Sequence, residues 1–228
     1  MQTHHNEPRG KAAAVANHIP LWLKLAYTTF MGVLIPVYLH NYGPTNFLYF
    51  CDVALILTLI GIWRENKLLI SMAAVGILIP QALWVIDFAG QLLGVKLTGM
   101  TAYMFDENRS LFLRGLSLFH GWLPFLLVHL VAKLGYDRRA FGSWTILGWS
   151  LCLIAFFFLP PAGAQLPDPK IPVNVNYVFG LDDAKPQEWL ATTTYLIVWM
   201  GALFTVVYTP THLALKKLFT KNNHLLSA

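Results

Sequence analysis

Six long apolar stretches follow one another along the chain, and short segments between them contain most of the charged residues. The stretches cover about residues 20–39, 46–63, 68–87, 115–132, 143–160 and 190–213. A hydrocarbon core about 30 Å thick is crossed by roughly 20 helical residues, so each stretch has the length of one crossing or nearly so. Membrane helices tolerate prolines as kinks, and four stretches have a proline in their interior: Pro36, Pro80, Pro124 and Pro210. The pattern predicts an all-α protein, a bundle of six transmembrane helices.

The composition supports a membrane location. Of the 228 residues, 56% are hydrophobic and only 12% are charged, whereas a soluble domain carries charge on roughly a quarter of its residues. The net charge of +5 comes from basic residues at the ends of apolar stretches. No basic stretch is interleaved with aromatic residues as nucleic-acid binding requires. We therefore expect an integral, multi-pass membrane protein that does not bind nucleic acid.

The distribution of Lys and Arg predicts how the chain is oriented. The two tails and the loops on their side of the membrane carry ten basic residues, and the opposite loops carry five. Because cytoplasmic loops are enriched in Lys and Arg, both termini are predicted to be cytoplasmic, in a cell or inner membrane. The predicted organisation is a polar cytoplasmic tail (1–18), a transmembrane domain (19–215) and a basic cytoplasmic tail (216–228). Residues 1–18 lack the order of features found in a signal peptide.

Two segments on the predicted non-cytoplasmic side of the membrane, the outer side, are longer than tight turns. They cover about residues 88–114 and 161–189. Long loops in compact proteins are usually functional or disordered. The second contains "VNVNYVFG", whose composition is not that of a disordered segment, so we predict an ordered outer loop between the fifth and sixth helices.

Polar side chains from separate parts of the chain are predicted at one depth near the outer side. At about 1.5 Å per helical residue, Cys51 lies about 7–8 Å below the outer boundary and His120 roughly 8–9 Å below it. Asp87 ends the third stretch at the same side. The candidate site therefore contains Cys51 and His120 with Asp52, Asp87, Asn174, Asn176 and Tyr177 as supporting residues.

A thiol and an imidazole at one depth are suited to nucleophilic catalysis. The thiolate is the reactive form of cysteine, and a neighbouring histidine can accept the proton. Asp52 is about 100° around the helix from Cys51, which favours an orienting or structural role over that of proton acceptor. The Asn174, Asn176 and Tyr177 side chains could donate hydrogen bonds to an oxyanion or a lipid carbonyl. No metal or cofactor is expected, since the chain has no Cys-x-x-Cys motif and His129 points away from His120.

Other interpretations of the same residues stay open. A single cysteine in a membrane helix is most often a packing residue, and a histidine there often bridges helices. An alternative role for Asp87 is that of an interfacial residue at the end of a crossing. As whole-protein alternatives we consider a small transporter, a membrane scaffold, and thiol redox chemistry that pairs Cys51 with Cys152.

Three short motifs carry a resemblance to a known family. "FCDVALILTLIGIW", "LFHGWLPFLLVHLV" and "VNVNYVFG" resemble the Cys-Asp, His-Gly and Asn-x-Asn-Tyr blocks of YwaF-like six-helix membrane proteins. Eukaryotic relatives of these proteins are the transmembrane protein 164 family of lipid acyltransferases. The blocks occur in the same order and on corresponding elements, over roughly residues 45–215. One departure is Tyr49, where the family often has His or Gln.

The resemblance implies a function for the candidate site. By position, Cys51 and His120 correspond to the pair taken as catalytic in the acyltransferase relatives. The implied activity is an acyltransferase or acyl-ester hydrolase that acts on a phospholipid or another fatty-acyl lipid through a thioester on Cys51.

Overall fold

A computed structural model describes residues 18–168 and 170–220 of the chain. The predicted tails lie mostly outside these residues, including Arg9, Lys11 and Lys221. The described part of the chain is all-helical. Its α-helices are α1 (Leu21–Tyr42), α2 (Phe50–Arg64), α3 (Lys67–Leu92), α4 (Leu111–Ser117), α5 (Phe119–Leu134), α6 (Arg139–Phe158), α7 (Thr192–Ala202) and α8 (Thr209–Phe219). Three 3₁₀ segments (Pro44–Leu48, Ala102–Phe105 and Val175–Tyr177) and one π-helical segment (Leu203–Tyr208) complete the secondary structure.

Five helical units are long and apolar enough to cross a membrane. They are Leu21–Tyr42, Lys67–Leu92, Leu111–Leu134, Ala140–Phe158 and Thr192–Phe219. Large apolar side chains such as Phe125, Ile146 and Phe158 are exposed on their outer faces, where lipid tails would cover them. The structure therefore has the character of an integral multi-pass membrane protein. Of the six predicted crossings, the second has only 15 helical residues, about 22 Å at 1.5 Å per residue.

Helix α3 lies at the centre of the bundle and packs against α2, α5 and α6. Its inner half is lined by small residues, so neighbouring helices can approach closely. The closest approach is at Gly76, where a Cβ atom would lie 1.9 Å from the Trp144 ring of α6. This close packing holds the fully buried Trp144 side chain in the core.

The fourth and sixth predicted crossings are interrupted. In the fourth, the α-helical hydrogen-bond pattern breaks at Leu118, where the N–H groups of Leu118 and Gly121 bond to carbonyls three residues back. The sixth contains the π-helical segment, which ends two residues before Pro210. Proline has no N–H to donate to the carbonyl four residues back, and such π segments occur mostly as single bulges inside α-helices. The first interruption places His120 in the opening turn of α5.

Candidate functional site

Helix α2 begins where the outer loop meets it. The Asn176 Oδ1 atom accepts a hydrogen bond from the Phe50 N–H over 3.0 Å, and its Nδ2 atom donates to the Leu48 carbonyl over 2.9 Å. The Trp199 Nε1–H of α7 in turn donates to the Asn176 carbonyl over 2.9 Å. Asn176, predicted to face a substrate, thus uses its side-chain amide to cap α2 and its main-chain carbonyl to bind α7.

Cys51 and Asp52 occupy the first turn of α2 directly after this cap. The first N–H groups of a helix have no intrahelical acceptor. Asn176 accepts from Phe50, whereas no backbone carbonyl among the described residues accepts from the N–H groups of Cys51 and Asp52. The helix dipole adds partial positive charge at this end. The thiol therefore stands in the first turn of the helix, between backbone N–H groups and the Asp52 carboxyl group.

The Cys51 sulfur contacts the neighbouring carboxyl group. Its Sγ atom lies 3.7 Å from Asp52 Oδ2, which also accepts a hydrogen bond from Asn46 Nδ2 over 3.3 Å. Asp52 is only 3% exposed, and its Oδ1 atom is buried without a partner among the described residues. The role that we predicted for Asp52, orienting a neighbouring group, is consistent with this contact.

His120 is held in one tautomer and one ring plane. Its Nδ1 atom lies 2.7 Å from the Ser117 carbonyl, which can only accept, so Nδ1 carries the proton. The ring stacks on Trp84 at 4.9 Å and on Phe119 at 4.0 Å between centroids. The Nε2 atom then has a lone pair and no hydrogen-bond partner in the described part of the chain. His120 therefore presents a neutral imidazole with a free basic nitrogen.

Tyr103, in the 3₁₀ segment Ala102–Phe105, belongs to the surroundings of His120. Its hydroxyl accepts a hydrogen bond from Trp84 Nε1 over 3.1 Å, and Trp84 stacks on His120. Burial raises the pKa of the Tyr103 phenol, and hydrogen bonds with Trp84 and Ser117 partly oppose this effect. Sequence analysis missed Tyr103 because it lies in a loop with no motif.

In the described part of the chain, no hydrogen bond joins Cys51 and His120. Among the described residues, the thiol contacts Asp52 and the His120 ring bonds to Ser117. Cys152 is a free cysteine, as is Cys51, so the pairing considered for redox chemistry is not formed.

Asp87 is an anchor for the outer loop that follows α3. It lies inside α3, which continues to Leu92, rather than at the helix end as predicted. The carboxylate accepts hydrogen bonds from the N–H groups of Thr98, Gly99 and Thr101, from the Thr101 hydroxyl and from Gln91 Nε2. This set of donors accounts for its burial and leaves little capacity for a substrate.

Asn174 and Tyr177 belong to the ordered outer loop. Asn174 Nδ2 donates to the Gly180 carbonyl over 2.9 Å, and its Oδ1 accepts from the Phe179 N–H over 3.0 Å, so its amide shapes the loop.

Tyr177 has positive φ, as do Asn174 and Asn176; such strained positions cluster at functional sites. Burial raises the pKa of the Tyr177 phenol, and charge at Asp183 and Cys51 adds to the effect. Tyr177 is the one of these three whose side chain stays available.

Gln81 is a further buried polar residue that sequence analysis missed. It is 2% exposed, and its Oε1 atom has no partner among the described residues. Helices α2 and α3 form a hairpin in which Gly61 faces Ile70. Counting outward at 1.5 Å per residue places Asp52 and Gln81 within about 3 Å of the same level. The signal available in the sequence was a glutamine inside an apolar stretch, next to Pro80.

Comparisons with known proteins identify no family for the chain. No protein-family model matches it, and neither a curated protein nor a solved structure matches it. The resemblance carried by the three motifs stays a prediction. In residues 18–168 and 170–220, no group of three or more His, Cys, Asp or Glu side chains could hold a metal ion.

Proposed function

We propose that the protein is a membrane-embedded acyltransferase or acyl-ester hydrolase, with Cys51 as nucleophile and His120 as general base. The observation that carries the proposal is the hydrogen bond from His120 Nδ1 to the Ser117 carbonyl. It fixes the tautomer in which Nε2 can accept a proton, as the base of a nucleophilic pair requires. The half-buried thiol of Cys51 lies at a helix N-terminus.

The proposed reaction has two steps. His120 Nε2 takes the Cys51 proton, and the thiolate attacks the ester carbonyl of a lipid. When the C–O bond breaks, His120 returns the proton to the departing alkoxide, which leaves a thioester on Cys51. In the second step a water molecule or a lipid hydroxyl gives its proton to His120 and attacks the thioester. The C–S bond breaks, and the proton returns to the sulfur.

The charge that develops on the carbonyl oxygen needs hydrogen-bond donors. The N–H groups of Cys51 and Asp52 donate to no backbone carbonyl among the described residues, and backbone donors at a helix start are a common form of oxyanion hole. The Tyr177 hydroxyl is the third candidate donor. The first step also requires the thiol to turn from Asp52 to His120 when substrate binds, since catalytic hydrogen bonds are often long or misaligned before then.

A six-helix bundle fits this function. Helix α2 contributes about 22 Å and the five-residue segment Pro44–Leu48 about 10 Å more, which together approach the thickness of a hydrocarbon core. On this arrangement α2 is a crossing as well, and the bundle has six. Its first turn lies below the outer boundary, near the depth of the ester bonds of a lipid leaflet.

Acyl-enzyme trapping tests the proposal. Purified full-length protein is incubated with a phospholipid that carries a labelled acyl chain, and hydroxylamine-sensitive label on the protein is measured. We expect label on the wild type and on Cys152→Ala, and none on Cys51→Ala. His120→Gln should reduce the rate of labelling by about 10²–10⁴-fold. Equal labelling of Cys51→Ala and wild type would overturn the proposal.

A second candidate function is transport of a cation or proton. It is favoured by two buried acceptors in the bundle interior without partners among the described residues, Asp52 Oδ1 and Gln81 Oε1. Ionisable groups inside membrane proteins often mark ion pathways. Uptake by reconstituted protein that is lost in Asp52→Asn but unchanged in Cys51→Ala would support transport over acyl chemistry.

A further inference from the structure

Two arginines on the predicted outer side, Arg109 and Arg114, are not used by the proposed reaction. Basic residues are depleted on the outer side of membrane proteins. Two of them next to one crossing therefore suggest a specific role. Both are held by the same 3₁₀ segment. The Arg109 guanidinium lies 5.4 Å from the centre of the Tyr103 ring, and Arg114 NH1 donates to the Met104 carbonyl over 3.1 Å.

The two guanidinium groups differ in their partners. Arg109 has a carboxylate neighbour, with its Nε atom 3.7 Å from Asp106 Oδ2, and it donates to the Tyr42 hydroxyl over 3.3 Å. Arg114 forms no ion pair with any described carboxylate, and its Nε atom is buried with no hydrogen-bond partner among the described residues. A half-buried cation with one hydrogen bond has unused capacity for an anion.

The arginines also lie close to the candidate site. Tyr103, on which Arg109 stacks, accepts the hydrogen bond from Trp84, and Trp84 stacks on His120. Arg114 precedes Ser117 by one helical turn, and the Ser117 carbonyl holds His120. An anion bound by the two arginines would therefore lie on the outer side of the catalytic pair.

We infer that Arg114, assisted by Arg109, binds the phosphate of a lipid headgroup. This inference rests on the proposed function and names its substrate class: glycerophospholipids rather than neutral acylglycerols. A guanidinium matches phosphate oxygens in a forked geometry that Lys cannot reproduce. The phosphate of a phospholipid lies at the membrane surface, a few ångströms outward of its ester bonds. Phosphate on the arginines would thus place an ester bond inward, toward Cys51.

A binding experiment in the Cys51→Ala background tests this inference apart from catalysis. Full-length protein in detergent micelles is titrated with phosphatidylglycerol and with diacylglycerol of the same acyl chains. Headgroup without chains (glycerophosphoglycerol) and inorganic phosphate are titrated separately. We expect phosphatidylglycerol to bind at least about tenfold more tightly than diacylglycerol, because a pair of charge-assisted hydrogen bonds contributes about this much affinity. The two soluble phosphates should bind more weakly than the lipid.

Three further variants complete the test. Arg114→Gln should weaken phosphatidylglycerol binding about tenfold and leave diacylglycerol binding unchanged, which also shows that the variant is folded. Arg114→Lys keeps the positive charge but loses the forked pair of donors. Its affinity for phosphatidylglycerol should lie between that of the parent and that of Arg114→Gln. Lys96→Gln, an exposed basic residue of the same outer segment, is the matched control and should bind like its parent.

The outcomes separate the inference from the proposed function. Equal binding of phosphatidylglycerol by Arg114→Gln and its parent would overturn the inference, as would equal affinity of the parent for the two lipids. If soluble phosphate bound as tightly as phosphatidylglycerol, the arginines would be a site for free phosphate, and the assignment to a lipid headgroup would be overturned. Retained preference for phosphatidylglycerol in a protein that forms no acyl adduct would instead defeat only the proposed function.

Discussion

Asn176 and Phe50, which lie 126 residues apart in sequence, are joined by a hydrogen bond of 3.0 Å from the Phe50 N–H to Asn176 Oδ1. This bond makes a side chain of the outer loop the cap of the helix that carries Cys51. The usual capping residue is local and precedes the helix by one position. Here the position before α2 is Tyr49, whose side chain makes no capping bond. The start of α2 therefore depends on the outer loop.

Removal of this cap should destabilise the protein. Asn176→Ala loses the bonds to Phe50 and Leu48, and we expect a decrease of about 2 kcal/mol in the free energy of unfolding. Hydrogen exchange should accelerate in the first turn of α2. Asn108→Ala, at an exposed loop position, serves as control and should leave both measurements unchanged. Unaltered exchange in Asn176→Ala would show that α2 starts without the loop.

The packing of α3 against α6 leads to a second prediction. In Gly76→Ala the new methyl group would overlap the Trp144 ring, and that ring is enclosed in the core. We expect a loss of about 1–3 kcal/mol despite the higher helix propensity of alanine. In Gly142→Ala on α6 the added Cβ meets no atom within 4 Å, so thermal stability in detergent should stay the same or rise. Equal melting temperatures for the two variants would contradict the close approach at Gly76.

Asp87 is expected to be structural rather than catalytic. In Asp87→Asn an NH₂ group replaces one carboxylate oxygen, and it faces donors that can no longer be accepted. We expect the free energy of unfolding to decrease by about 3 kcal/mol. Residues 94–105 should become sensitive to protease. Asp168→Asn, an exposed carboxylate in the other outer loop, is the control. If Asp87→Asn kept full stability but lost acyl transfer, Asp87 would belong to the reaction.

The Glu65 carboxylate predicts a dependence of stability on pH. Its hydrogen bond to Lys24, with smaller contributions from His18 and the Ile19 N–H, lowers its pKa to about 2. A lowered pKa in the folded state stabilises the protein above the ordinary Glu value near 4.3, and this contribution is lost as the pH falls toward 2. The melting temperature of the wild type should therefore decrease between about pH 4 and pH 2 more than that of Glu65→Gln.

A matched variant separates this effect from general acid unfolding. Glu188→Gln replaces an exposed carboxylate of the outer loop that forms no ion pair within the described residues. Its melting temperature should follow that of the wild type across the same pH range. A Glu65→Gln curve parallel to the wild-type curve would show that the contact with Lys24 contributes nothing.

The two cysteines should differ in reactivity without forming a disulfide. Alkylation of the unfolded protein without reductant should add two groups, since both thiols are free. In the folded protein, Cys51 should be labelled faster than Cys152, which is completely buried. Cys51→Ala and Cys152→Ala identify which thiol is labelled. A mass that corresponds to one alkyl group or none after unfolding would contradict the free thiols.

Several parts of the site could be anticipated from local sequence. Ser117 lies three residues before His120, close enough along the chain for its carbonyl to reach the ring, and Cys51 begins an apolar stretch. The depth argument predicts Cys51 and His120 at one level because helix rise converts position into distance. The contacts between Tyr103, Trp84 and His120 could not be derived in this way. They join a loop to two helices, and nothing local specifies which loop residue meets which ring.

By itself, the sequence determined that the chain is a membrane protein of long apolar helices, because lipid requires every spanning segment to be apolar and to satisfy its own backbone. Only the tertiary structure decided that α2 is short, that Asn176 caps it and that Asp87 anchors a loop. These features depend on hydrogen bonds between residues far apart in sequence or on loop conformations without a periodic pattern. The physical reason is that apolar periodicity records burial, whereas the partner of a polar group is set by packing.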